Sequence, residues 1–179
     1  MDDHGSPRTE GGGSAVTHML RTAQQHHAQI SMMADAKANI LVTVSSIILT
    51  LTLTRLNVPV LRPGLLVLAG STLIAFVLAV IAIIPRLEHV EVRDPLPPEF
   101  NILFFGHFSY LSRERFLREI ERVTADDHAA NLAQAHDLYS LGTYLFHRKF
   151  RYLRFSYWVL LGGFVTATVV QIVAMVLDR

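Results

Sequence analysis

The stretch ADAKANILVTVSSIILTLTLTR, residues 34–55, decides the fold class of this chain. Its first turn carries Asp35 and Lys37, and a run of seventeen residues without a charge follows. A helix of roughly 17–25 apolar residues crosses the hydrocarbon core of a bilayer. Two further runs are long enough, so the sequence predicts transmembrane helices at about 38–56, 65–84 and 157–177.

The composition also favours a membrane protein. Hydrophobic residues make up 51% of the chain and charged residues 17%, with a mean hydropathy of +0.34, which is high for a soluble protein. One apolar run would fit a buried core helix, but three in 179 residues indicate an all-α integral membrane protein. The absence of cysteine excludes disulfides, thiolate metal sites and cysteine nucleophiles. A net charge of +1 gives no strong positive electrostatic field that would attract a nucleic-acid duplex, so no nucleic-acid partner is expected.

The distribution of Lys and Arg predicts the orientation in the bilayer, because cytoplasmic loops carry more of both. The short segment RLNVPVLRPG at 55–64, between the first two apolar runs, holds Arg55 and Arg62, whereas residues 85–156 hold ten basic residues. We therefore expect a cytoplasmic N-terminus, a cytoplasmic segment at 85–156, and a C-terminus on the outer side.

Outside the spans, the pattern predicts further helices. Residues 1–14 are rich in Gly, Ser and acidic residues and are predicted to be disordered, and residues 15–179 form one predicted domain. Apolar residues recur at three- and four-residue steps before the first span and before the third, and no proline interrupts either segment. The extensions of these spans should form a cytoplasmic helical bundle. In the same region, Ser112 is expected to cap a helix at 113–123.

The spans themselves contain small and hydroxyl side chains at helical spacing. The hydroxyls either bond the carbonyls of their own helix or line an aqueous path in an assembly, and both interpretations stay open. The small residues of the second and third spans permit close helix packing. The polar face comprises Asn39, Thr43, Ser46, Thr50 and Thr54, and the small residues are Ser71, Ala75, Ala79, Gly163 and Ala167.

Enzyme motifs are missing from the sequence. It has no HExxH metal motif, no GxSxG nucleophile elbow and no glycine-rich phosphate loop, so a non-enzymatic protein without a metal is predicted. One alternative is a membrane-anchored, metal-dependent phosphohydrolase that uses Asp126, His128 and His136. A second alternative is a non-catalytic membrane subunit that docks a partner protein.

Charged residues are expected to meet where the predicted cytoplasmic helices enter the membrane. Asp35 needs a partner there, and Arg151 or Arg154 at the foot of the third span is the predicted one. Lys37 can extend its ammonium to the headgroups. The segment HRKFRYLRFSY, residues 147–157, could bind the phosphate of a nucleotide or touch anionic lipid, and these roles are compatible.

Three motifs carry a resemblance to a known family. They are MMADAKANIL at 32–41, NILFFGHFSYLS at 101–112 and DLYSLGTYLFHRKFRYLRFSY at 137–157. In their order and their placement relative to the spans, they resemble the transmembrane effector of the bacterial Pycsar anti-phage system. The resemblance extends from Ser31 to the end of the third span.

The resemblance implies a role in abortive infection. A neighbouring uridylate or cytidylate cyclase would make cyclic UMP or cyclic CMP, and the effector, a homo-oligomer in the bacterial inner membrane, would respond by impairing that membrane. No cofactor is implied beyond this activating ligand. The nucleotide is expected near HRKFRYLR and FFGHF. Candidate residues for ligand binding or signal coupling are Asp35, Lys37, Asn39, Asn101, Phe105, Gly106, Tyr139, Lys149, Arg151, Tyr152 and Arg154.

Overall fold

The computed structural model describes residues 10–84 and 90–178, and every regular element in this part of the chain is a helix. A 3₁₀ turn at Pro59–Leu61 precedes the second helix, and a π-helical turn at Leu145–Lys149 joins the last two. The helices are α1 (Glu10–Arg55), α2 (Arg62–Ile83), α3 (Phe105–Phe108), α4 (Arg113–Thr124), α5 (Asp127–Tyr144) and α6 (Phe150–Leu177).

Three helical segments are long and apolar enough to cross a membrane: Ala15–Arg55, Pro59–Ile83 and Asp127–Leu177. This confirms the prediction of an all-α membrane protein with three spans. The first segment has 41 residues and the third 51, roughly twice what a bilayer requires. Both therefore continue beyond their apolar parts as helix. The segment predicted to be disordered ends sooner than expected, because α1 already begins at Glu10, while residues 1–9 lie outside the described part.

The described residues divide into two compact units. One contains residues 30–84 and 144–178, and the other contains residues 10–29 and 90–143. The first unit holds the apolar parts of α1, α2 and α6, and we call it the span unit. The second holds the start of α1 together with α3, α4 and α5, and we call it the polar unit. The two units are described separately below.

Small side chains pack the three helices of the span unit. Its core joins α1, α2 and α6 through Ala34, Ala38, Leu41, Ala79, Ala82 and Leu153. Alanine and glycine let helix backbones approach closely, which provides the packing contacts that the hydrophobic effect cannot supply in lipid. A β-carbon on Gly163 would collide with the side chain of Ser71, and the Ser156 hydroxyl donates to the carbonyl of Ala75. The predicted rows of small residues therefore pack α2 against α6.

A glutamine holds the other end of this helix pair. The Gln171 amide of α6 accepts a hydrogen bond from the backbone N–H of Gly64 at 3.2 Å and donates to the carbonyl of Val60 at 2.8 Å. The N–H groups in the first turn of a helix have no partner within that helix. Gln171 therefore supplies one partner for the start of α2. Beside it lies an open apolar groove of about 250 Å³ between α2 and α6.

The hydroxyls of α1 bond within their own helix. Thr43, Ser46 and Thr50 donate to the carbonyl four residues earlier, at 2.8–3.0 Å, and Thr54 donates to that of Leu51 at 2.8 Å. All four side chains are exposed on the span unit. Of the two interpretations of this face, the structure shows the internal bonding. Because each donor has a partner, lipid contact costs these hydroxyls little.

The polar unit is built around α5 and the start of α1. The prediction for its α4 is confirmed, because the Ser112 side chain accepts from the Arg115 N–H at 3.3 Å and the helix spans Arg113–Thr124. The rings of Phe108 and Phe116 lie 4.9 Å apart and pack the start of α4 against α3. The unit is helical, as expected, but residues 90–104 form an irregular segment that is held by hydrogen bonds described next.

Candidate functional site

A buried cation lies where α6 begins. Lys149 is the last residue of the π-helical turn, and its side chain is only 8% exposed. Its ammonium lies 2.7 Å from the carboxylate of Asp35 and donates to the hydroxyl of Ser31 at 2.8 Å, both on α1. We call these three residues the Lys149 clasp. A buried charge requires a partner of opposite sign and further hydrogen bonds, and the clasp provides both.

The π-helical turn keeps Lys149 on the buried face. Leu145, Lys149 and Leu153 are all buried and stand four residues apart. In a regular α-helix each four-residue step drifts by about 40°. In the π turn the N–H of Phe150 bonds the carbonyl of Leu145, five residues earlier, which widens the helix and reduces this drift. Such turns are rare and frequently mark functional positions.

The prediction of Arg151 or Arg154 as the partner of Asp35 was wrong. Among the described residues Asp35 pairs with Lys149, and both arginines are exposed. The reason is helical phase: Arg151 follows Lys149 by two residues, about 200° around the helix, and Arg154 follows the buried Leu153 by about 100°. Lys149 and Leu153 lie on the buried face of α6, and both arginines lie outside that face.

The other candidates of the span unit surround the clasp. The Lys37 carbonyl accepts a hydrogen bond from the Tyr157 hydroxyl at 3.4 Å, and the Lys37 side chain is exposed. Asn39 is also exposed, and its backbone carbonyl accepts a hydrogen bond from the Thr43 hydroxyl. Tyr152 is half-buried and packs on the core of the three helices. The structure thus brings Asp35 and Lys149 together, while Asn39, Arg151 and Arg154 point away from them.

A second polar cluster organises the polar unit. Asn101 is buried, with 2% exposure, and its amide donates to the Asp137 carboxylate at 2.9 Å. The other Asp137 oxygen accepts from the Gln24 amide of α1 at 2.8 Å. The backbone N–H of Asn101 donates to Nδ1 of His107 at 2.9 Å, and its side-chain oxygen accepts from the N–H of Leu103. We call this the Asp137 cluster. It connects α1, α3, α5 and the irregular segment.

The remaining candidates lie near the Asp137 cluster in different environments. Gly106 is buried, and a β-carbon there would displace the ring of Phe104. Phe105, next to it, is 59% exposed, and Tyr139 on α5 is 73% exposed. Asn101 and Gly106 therefore shape the turn, whereas Phe105 and Tyr139 present free aromatic surface.

Four residues of these clusters were not predicted from the sequence: Gln24, Ser31, His107 and Asp137. A signal for two of them exists in α1. Buried and half-buried residues recur there every seven positions, the spacing of a helix that packs along one seam. One series is Leu20, His27, Ala34 and Leu41, and the other is Gln24, Ser31, Ala38, Ser45 and Thr52. Asp137 has no comparable signal, because its partner Asn101 is distant in sequence.

The residues of the metal-enzyme alternative do not form a metal site in the described part of the chain. No group of three His, Asp or Glu side chains in residues 10–84 and 90–178 could hold a metal ion. Asp126 instead accepts from the backbone N–H groups of His128 and Ala129 at the start of α5, at 3.2 and 3.3 Å, which is the role of a helix cap. Asp137 is engaged with two amides.

Comparison with known proteins identifies a family. No curated protein and no solved structure is similar enough to count as a match. The family model PycTM, described as the Pycsar effector protein domain, matches residues 18–176, which include the Lys149 clasp, the Asp137 cluster and nearly all of the three spans. The family resemblance found in the sequence is thus confirmed over most of the chain. The chain belongs to the PycTM family of Pycsar effector protein domains.

Proposed function

We propose that the protein is the membrane effector of a Pycsar anti-phage system. Cyclic UMP or cyclic CMP from a neighbouring uridylate or cytidylate cyclase activates it, and it then impairs the inner membrane so that the infected cell dies before phage release. It acts without catalysis. Membership of the family and the three apolar spans support this proposal.

The observation that carries the proposal is the continuity of the long helices. The α1 helix passes from a polar start into an apolar span, and α5, the π turn and α6 form one uninterrupted helical segment. A ligand that binds these continuous helices more tightly in one state can shift the first and third spans, because neither helical segment is interrupted before its apolar part. The Lys149 clasp joins both helices at the start of their apolar parts.

The phosphate of the nucleotide requires a cation that is free to bind it. Lys149 is already paired with Asp35, so we assign this role to the exposed Arg148 or Arg151 instead. Arg151→Gln should weaken binding of cyclic UMP or cyclic CMP to the purified protein. Arg118→Gln on α4 is the matched control for loss of an exposed arginine.

Dye release from vesicles tests the proposal directly. The purified protein is reconstituted in vesicles that contain a self-quenched dye, and cyclic UMP, cyclic CMP or cyclic AMP is added. Release with a cyclic pyrimidine nucleotide but not with cyclic AMP is expected. Absence of release with both pyrimidine nucleotides contradicts the proposal. His128→Ala and His136→Ala should release dye like the parent protein, and their failure to do so would favour the metal-enzyme alternative.

The proposed orientation, with the N-terminus in the cytoplasm and the C-terminus outside, has its own test. The chain contains no cysteine, so a single introduced thiol reports one position. In intact cells, Asp178→Cys should react with a membrane-impermeant maleimide and Thr22→Cys should not. The opposite labelling pattern would show that the orientation is the reverse of the proposed one.

We also propose that the effector self-associates through α5. Leu132 and Tyr139 stand seven residues apart on this helix and are 62% and 73% exposed, although they belong to the polar unit. Seven-residue spacing of apolar side chains is typical of helices that pair. Leu132→Gln with Tyr139→Gln should reduce cross-linked oligomers of the detergent-solubilised protein. Glu121→Gln is the surface control.

A further inference from the structure

Along one exposed face of α6, cationic side chains are followed by an aromatic and then by aliphatic ones. The headgroup, interface and acyl chains of a phospholipid follow each other in the same order. Arg151 and Arg154 come first, then Trp158, and then Leu161 and Val165. These positions follow each other by three or four residues, so they lie on the same side of the helix. Trp158 is 64% exposed, and Leu161 and Val165 are 56% each. The face therefore presents cations, then an amphipathic ring, then aliphatic surface.

The distances along the helix agree with the depth of the lipid layers. A helix rises by about 1.5 Å per residue, so Arg154 lies about 6 Å from Trp158 along the axis and Arg151 about 10 Å. Tryptophan favours the boundary between headgroups and hydrocarbon. The headgroup layer on each side of a bilayer is about 5–8 Å thick. Arg154 thus lies at headgroup depth, and Arg151 at the aqueous edge of that layer.

A second cation lies at the same level on α1. The Tyr157 hydroxyl donates to the carbonyl of Lys37, which places Lys37 beside the turn of α6 that follows Arg154. The Lys37 side chain is exposed. Within residues 10–84 and 90–178 no acidic side chain pairs with Lys37, Arg151 or Arg154, since the nearby carboxylate of Asp35 is held by Lys149. These cations remain available to an anion from the membrane.

We propose that Lys37 and Arg154 bind the phosphate of an anionic phospholipid, whose acyl chains lie along Trp158, Leu161 and Val165. A guanidinium can bind two phosphate oxygens at once, and an ammonium adds a point charge. A free phosphate ion offers the same oxygens, but it leaves the ring and the aliphatic surface without a partner, which favours the lipid. The lipid site does not depend on activation by a nucleotide, so an experiment that contradicts one of the two proposals leaves the other unaffected.

The intrinsic fluorescence of Trp158 tests the lipid site, because it is the only tryptophan in the chain. The full-length protein is reconstituted in phosphatidylcholine vesicles that contain a minor fraction of phosphatidylglycerol. Bromine is placed on the acyl chains of one lipid at a time, since it quenches nearby tryptophan. We expect stronger quenching by brominated phosphatidylglycerol than by brominated phosphatidylcholine at equal mole fraction.

Substitutions identify the residues that produce this preference. Lys37→Gln and Arg154→Gln should each lower the relative affinity for phosphatidylglycerol roughly fivefold, since one cation near an anionic surface contributes about 1 kcal/mol. Arg118→Gln on α4 removes the same charge from the polar unit and should leave the preference unchanged. Helix content by circular dichroism shows that each variant is folded. Equal quenching by both lipids, or a preference that survives the double substitution, overturns the proposal.

Inorganic phosphate separates the two sources of the anion. Phosphate added to the vesicles should leave the lipid preference as it is in chloride of equal ionic strength. If phosphate removes the preference and chloride does not, the site binds the free ion and the lipid assignment is overturned.

Discussion

The ammonium of Lys149 lies 2.7 Å from the carboxylate of Asp35, and this pair connects the two longest helical segments of the chain. The lysine is almost completely buried, whereas the side chain of the aspartate is 40% exposed. Water can therefore solvate the carboxylate of Asp35, but it hardly reaches the ammonium of Lys149. Its removal would leave the buried lysine with the hydroxyl of Ser31 alone.

Asp35→Asn should therefore destabilise the protein. Removing one partner of a buried pair costs about 3–5 kcal/mol, and partial exposure of this pair reduces the expected loss to about 1–3 kcal/mol. Lys149→Met fills the same volume without a charge, so the double variant should recover part of the loss. Thermal unfolding of the detergent-solubilised protein, followed by circular dichroism, measures the effect. Arg154→Gln is the control, and a loss as large as that of Asp35→Asn would show that the ion pair is not the cause.

Two adjacent glycines provide a matched test of helix packing. Gly163→Ala places a β-carbon against Ser71, whereas nothing lies within 4 Å of the corresponding position at Gly162. Overpacking of this kind costs about 1–3 kcal/mol. Gly162→Ala should be neutral or slightly stabilising, since alanine favours helix by up to about 1 kcal/mol. The midpoint of unfolding in detergent compares the two, and equal midpoints would contradict the close contact of α2 and α6.

Asp137→Ala should loosen the irregular segment of the polar unit. The substitution leaves the amides of Gln24 and Asn101 without an acceptor, and a buried polar group without a partner costs about 1–3 kcal/mol. Faster hydrogen exchange is expected in residues 100–108, with the span unit unchanged. His136→Ala, one residue earlier, is the control. Unchanged exchange in the Asp137 variant would show that the cluster does not hold this segment.

Gln171→Met should expose the start of α2. Methionine has a similar volume but cannot accept from the N–H of Gly64 or donate to the carbonyl of Val60. Hydrogen exchange at residues 59–66 should accelerate, and stability should fall by about 1–2 kcal/mol, as for polar contacts between membrane helices. Thr168→Val is the control, because the Thr168 hydroxyl bonds only its own helix at Phe164. Equal exchange in both variants would contradict this role of Gln171.

Local features of the sequence were sufficient to predict several elements of the fold. The apolar runs predicted the three spans, and the absence of proline predicted the long helices. Ser112 predicted the start of α4, because a capping side chain acts on N–H groups two or three residues away. The hydroxyls of α1 likewise bond the preceding turn. In each case the interacting groups lie within a few residues of each other along the chain.

The partners of the charged residues were decided only by the tertiary structure. Asp35 pairs with Lys149 rather than with either arginine because the π turn sets which face of α6 meets α1, and a difference of one residue rotates a side chain by about 100°. Asp137 meets Asn101 only once the irregular segment folds against α5. The sequence alone determined which segments are helical and which can span a bilayer, since these properties depend on neighbouring residues. The rotation and register of one helix against another depend on the tertiary packing within each unit, and that packing decided both polar clusters.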